Sequence, residues 1–172
     1  MFRKLFTLGL SAVVLSGAAS VLYAQRNPRG TAKYEKGTKF VMVEYGRPSL
    51  KGRDMLGQLA VGKAWRMGSD KSTTFTCTGD LSFGKISVPT GAYSLWLKKT
   101  ADKEFTLVFN KVTGQWGTEH DVTQDVYFVP LTTTQGSEKV EQFTIDLKEA
   151  GKGAEIRLLW DTSILSASFT MK

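Results

Sequence analysis

GAYSLWLKKTADKEFTLVFN, residues 91–110, decides the fold. Tyr93, Leu95 and Leu97 alternate with Ala92, Ser94, Trp96 and Lys98, and Phe105, Leu107 and Phe109 alternate with Thr106, Val108 and Asn110. Successive side chains of a strand point to opposite faces, so a period of two sorts the apolar set onto one face of a half-buried strand. The same period returns in Phe143, Ile145 and Leu147, in Ile156, Leu158 and Trp160, and in Leu165, Ala167 and Phe169. Further strands are predicted at Phe40–Tyr45, Ala64–Met67, Thr73–Thr78, Leu81–Phe83, Lys85–Val88 and Asp125–Val129, which makes about ten at close spacing. Turn residues fall between them, at Gly37, Gly79, Gly84, Pro89 with Gly91, Gly114, Gln135-Gly136-Ser137 and Gly151-Lys152-Gly153. The expectation is an all-β, single-domain antiparallel β-sandwich, jelly-roll-like, over residues 31–172. Helix is expected to be minimal, with helical turns only at Arg53–Ala60 and Lys148–Ala150.

Residues 1–24 read as a secretory signal: Arg3 and Lys4, the apolar run Leu5–Leu15, then Gly17, Ala18, Ala19 and Ser20. Cleavage is expected near Gln25, followed by a flexible lead-in over 25–30, which places the mature protein in the periplasm or outside the cell. The alternative is an uncleaved anchor, because Leu5–Ala24 just reaches across a bilayer core of ~30 Å. That segment would be the only membrane contact.

Removing residues 1–24 takes away Arg3 and Lys4, so Lys+Arg falls from 23 to 21 against 16 acids and the formal charge from +7 to +5. The surplus is scattered, and no basic stripe interleaved with aromatics marks a nucleic-acid surface. Cys77 is the single cysteine, so no internal disulfide forms; it alternates like a small buried apolar residue.

The basic block is Tyr45–Gly68, YGRPSLKGRDMLGQLAVGKAWRMG, in which Arg47, Lys51, Arg53, Lys63 and Arg66 meet only one acid, Asp54. Pro48 holds Arg47 extended, and planar guanidinium forks suit carboxylate, phosphate or sulfate. The expected ligand contacts are Arg47, Arg53, Arg66 and Asp70, with Trp65 packed beneath them, for a small anionic or carbohydrate-like ligand. The bland alternative pairs each arginine with an acid such as Asp54, Asp70 or Asp80 to pin loops. A binding or envelope-associated module is therefore expected rather than an enzyme, with no cofactor and no metal. His120, between Glu119 and Asp121, lacks the further His or Cys that zinc requires. The enzymatic alternative is a periplasmic hydrolase using His120 with a hydroxyl of Ser69 or Thr73. Trp96, on the polar side of its strand, is either the centre of a homo-oligomer surface or covered by a loop such as Thr113–Trp116.

A resemblance rests on residues already named. Tyr45, Arg47-Pro48-Ser49, Lys51-Gly52-Arg53, Gly62-Lys63-Ala64-Trp65-Arg66-Met67-Gly68, Thr73-Thr74, Pro89-Thr90-Gly91-Ala92-Tyr93-Ser94-Leu95 and Trp116-Gly117 follow one another in order. Together they make the chain similar to an exported bacterial family, the domain of unknown function numbered twenty-nine-eleven. The resemblance covers most of the mature chain and implies export, but no reaction or ligand. Ser69 and Asp70 stand where relatives often carry alanine and asparagine, which implies a site of different polarity here.

Overall fold

The computed structural model describes residues 27–172. The expected signal segment, its cleavage point and the anchor alternative lie outside the described residues. Ten strands follow in chain order: β1 (Arg29–Lys36), β2 (Lys39–Gly46), β3 (Ala64–Trp65), β4 (Thr73–Cys77), β5 (Leu81–Phe83), β6 (Ile86–Val88), β7 (Gly91–Ala101), β8 (Glu104–Asn110), β9 (Asp125–Ala150) and β10 (Gly153–Met171). They form one antiparallel sheet ordered β1-β2-β4-β7-β8-β9-β10-β5-β6, with β3 continuing β4's side of β7 at Leu97 and Lys98. The sheet does not close into a barrel. It folds over in a sandwich-like way, so that Tyr45 of β2 meets Phe143 of β9 and Phe83 of β5 meets Phe109 of β8, each pair with ring centroids 5.8 Å apart.

The period of two does the sorting that the sequence predicts. Leu95, Leu97, Leu107, Phe109, Phe143, Ile156 and Leu165 enter one core, each at 3 % exposure or less. Burying a side chain of this kind is worth about 1.5–3 kcal/mol before chain entropy is counted. Cys77 is in the same core, and burial pushes its thiol pKa up.

Several expectations are corrected. The strands expected at 125–129 and 142–147 are one element, β9, and those ending at Trp160 and beginning at Leu165 are one element, β10. Gln135-Gly136-Ser137 is no hairpin turn. Pairing passes from Leu159↔Thr144 through Asp161↔Val140 to Ser163↔Gln135, so β9 advances nine residues while β10 advances four. The surplus is a bulged corner that bends β9 from one layer into the other. Arg29 and Gly30, expected in the lead-in, begin β1. Lys148–Ala150 is extended. Arg53–Ala60 makes a single helical-type bond, Gln58 N donating to Asp54 O at 3.1 Å, and the Asp54 carboxylate accepts from Gly57 N at 2.8 Å. A short 3-10 turn at Val122–Gln124 is the one helical element among the described residues.

A cationic cleft among the loops at the sandwich rim

Three segments build the cleft. Leu50–Arg53 is a tight reversal closed by Arg53 N donating to Leu50 O at 3.1 Å, with Lys51 and Gly52 at φ 49° and 73°. Two successive positive φ values define a type I′ turn. It aims Lys51 and Arg53 into the cleft. Met67 and Asp70 are also left-handed, at φ 50° and 65°, a conformation that costs a non-glycine residue energy and persists only where the surroundings enforce it. The enforcement is a backbone crossing: a Cβ on Gly46 would stand 2.3 Å from Ser69 O, and one on Gly68 would stand 2.9 Å from Gly46 O. The third segment is β10 at its register shift, where Asp161 has φ 54° and Trp160 precedes it.

The result is a cleft of about 250 Å³ lined by Lys51, Arg53, Trp65, Arg66, Ser69 and Trp160, together with Asn27, Pro48, Ser49, Met55 and Gly68. Trp65 stacks on Trp160 with centroids 4.9 Å apart and planes 17° apart, and its edge meets Phe143. Each ring face spent this way is a face not offered to a ligand. Arg53 is tethered through Nε to Leu50 O at 3.0 Å, and Arg66 through Nε to Gly68 O at 3.3 Å. Gly117 leaves room for the Arg66 stem, since a Cβ there would stand 2.1 Å from Arg66 Cδ. Neither arginine has a carboxylate partner among the described residues. Two further donors are buried here without a hydrogen-bond partner, the Ser69 hydroxyl and the Trp160 indole N–H.

Of the residues expected to contact a ligand, Arg53, Trp65 and Arg66 come together and Arg47 and Asp70 do not. Arg47 reaches across to β9, donating through Nε to Phe143 O at 3.4 Å and through a terminal nitrogen to Thr144 Oγ1 at 3.1 Å. Asp70 lends its carbonyl to Gly117 N at 2.9 Å and does not line the cleft. The bland pairing with Asp54, Asp70 or Asp80 is absent for all three arginines among the described residues; their tethers are backbone carbonyls and one hydroxyl. Lys51 and Trp160 complete the cleft. Lys51 was visible in the basic block, whereas nothing local in the sequence ties Trp160 to it.

His120 belongs to a different place. It stacks on Trp96 with centroids 4.0 Å apart and planes 8° apart, and its Nε2 lies 2.8 Å from Asp125 Oδ1. A carboxylate only accepts, so Nε2 carries the proton. Asn110 donates to the same Asp125 oxygen at 2.7 Å and to Asp121 O at 2.8 Å. The Thr123 hydroxyl and N–H hold the Asp121 carboxyl below its usual pKa. Trp96 is only 2 % exposed, and its N–H donates to Ser94 Oγ, which also accepts from Gln115. Of the two alternatives for Trp96 the covering loop holds, with Gln115 bonded to Ser94 and the cover extending beyond Thr113–Trp116 to His120. Thr73 pairs with Leu95 on the opposite, inward face, and its hydroxyl is spent on Met67 O at 2.6 Å. The sheet stands between that hydroxyl and the imidazole. No hydrogen bond joins His120 to Thr73 or Ser69 among the described residues.

Fold and cleft together define an all-β protein with a cationic pocket between loops at the rim of a folded sheet. The chain belongs to the family described as "Protein of unknown function (DUF2911)", whose model matches residues 27–169. No curated protein and no solved structure matches it.

Proposed function

We propose that this protein is an exported binding module that holds a small anionic ligand in the cleft of Lys51, Arg53, Arg66, Ser69 and Trp160. The observation that carries the reading is the pair of buried, unpartnered donors, Ser69 Oγ and Trp160 Nε1, in the same cleft as two arginines free of carboxylates among the described residues. A buried donor without an acceptor costs about 1–3 kcal/mol, so a fold that keeps two on residues lining one cleft gains when an acceptor-rich group reaches them. Arg66 and Arg53 supply charge, and the tethered stems limit the entropy lost on binding. The stacked Trp65–Trp160 pair forms a rigid wall beside them. Export, to the periplasm or beyond, rests on the signal-like residues 1–24.

Calorimetric titration with phosphate, sulfate and citrate tests the reading. At least one anion should bind saturably, and Arg66→Gln should weaken it by about tenfold or more, the worth of one charge-assisted hydrogen bond. An Arg66→Gln protein that binds every anion as well as wild type does, or a wild type that binds none, would falsify it.

A further inference from the structure

Lys99 is the most buried charged residue among the described residues, at 7 % exposure. It follows Leu97 on the inward face of β7, so its stem runs along the core and its ammonium emerges at the end of the sandwich. An ammonium carries three donors and no acceptor, and its burial is costly unless those donors are met. The contacts present are thin: Gly57 O at 3.4 Å, and Asp102 Oδ1 at 3.9 Å on a side chain that is 85 % exposed. A pair this long with a solvated carboxylate contributes little.

The ammonium faces a cavity of about 280 Å³ beneath Asp54–Gly57, which shares no lining residue with the cationic cleft. Its walls are of two kinds. Asp54, Asp102 and Lys103 bring further charge, with Asp102 Oδ1 on the lysine's own side, 3.9 Å from its ammonium, and Leu56 and Phe105 bring apolar surface. Cations and acids set beside a greasy wall form a half-apolar receptacle for both signs of charge rather than a simple anion hole.

We propose that this cavity is a second ligand site that takes a free α-amino acid with an apolar side chain. Its carboxylate meets Lys99, its ammonium meets Asp54 and Asp102, and its side chain lies against Leu56 and Phe105. Both charges of the ligand are neutralised where they are desolvated, which water alone does not achieve for the buried ammonium. The site does not depend on the cleft of Arg53 and Arg66.

Titration of the full chain with L-leucine, 4-methylpentanoate and 3-methylbutylamine separates the elements. Leucine should bind saturably, and each singly charged analogue at least about tenfold more weakly. Lys99→Met should abolish leucine binding, keep the anion binding of the Arg66 cleft, and melt at a higher temperature because an underpaired buried charge has gone. Asp102→Asn, at an exposed position that folding tolerates, should weaken leucine several-fold without weakening 4-methylpentanoate. The proposal is overturned if leucine does not bind, if Lys99→Met binds it like wild type, or if Lys99→Met melts lower, which would make the ammonium a structural prop.

Discussion

Two regions of this molecule bury polar groups beside tryptophans and treat them oppositely. Around Trp96, the polar atoms close a ring of bonds: His120 to Asp125, Asn110 to Asp125 and Asp121, Val112 N to Asn110, and both Trp96 and Gln115 to Ser94. Around Trp160, the indole N–H and the Ser69 hydroxyl are left without a partner, on residues that line one cleft with Arg53 and Arg66. A completed network fastens a loop onto a sheet, and an incomplete one marks where something else completes it. The histidine, the residue type most suggestive of catalysis, sits in the completed region.

Mutations that open the closed region should cost most. Asn110→Ala strands the Val112 N–H and strips one of two bonds from both the Asp125 carboxylate and the Asp121 carbonyl, and should lower unfolding free energy by about 3 kcal/mol in urea titrations, three lost hydrogen bonds' worth. A loss below about 1 kcal/mol would mean the loop is held by something other than this ring. His120→Ala removes the stack on Trp96 and one bond to Asp125, and should cost about 2 kcal/mol. Its marker is a red shift of tryptophan fluorescence as Trp96 meets water; an unshifted spectrum argues against the loop as the cover.

Alkaline pH probes a third burial, smaller in effect. Tyr93 donates to Pro89 O at 3.0 Å, and burial first, then the neighbouring Tyr127, pushes its pKa up to about 12. The phenol is neutral in the fold and ionises more easily in the unfolded chain, at ~10. Its contribution is therefore complete below about pH 10 and is lost as pH rises toward 12. Tyrosinate absorbance should show a late-titrating phenol that disappears in Tyr93→Phe. The smallest effect should have the opposite sign. Ser69→Ala deletes an unpartnered hydroxyl, so stability should change by less than ~0.5 kcal/mol or rise, while anion affinity falls. A Ser69→Ala protein that loses stability as Asn110→Ala does would erase the distinction between the two regions.

Alternation made most of the sheet readable. Tyr93 to Phe109 and Phe143 to Leu147 carry their inward face in the sequence itself. It failed where neither face is apolar: Thr132–Lys139 shows no apolar alternation, so the middle of β9 passed for a turn although it is the corner of the fold. β1 was missed for a related reason, since Ala32 is its one fully buried position. For Trp96, periodicity gave the face and the loop alternative gave part of the cover, but the stacked His120 is a tertiary fact that local pattern does not carry. Half of the cleft was legible because Arg53, Trp65 and Arg66 lie close together in one basic block. Trp160 and the diversion of Arg47 to Thr144 depend on where β9 and β10 lie, which local pattern does not encode.

β9 is hydrogen-bonded to β8 over Asp125–Leu131 and to β10 from Thr132 onward, with the bulged corner inside the second stretch. One uninterrupted length of chain thus serves as a shared spine for both halves of the core. Peeling either half away would tear the same strand, so the domain should lose its structure in one concerted step rather than leaf by leaf.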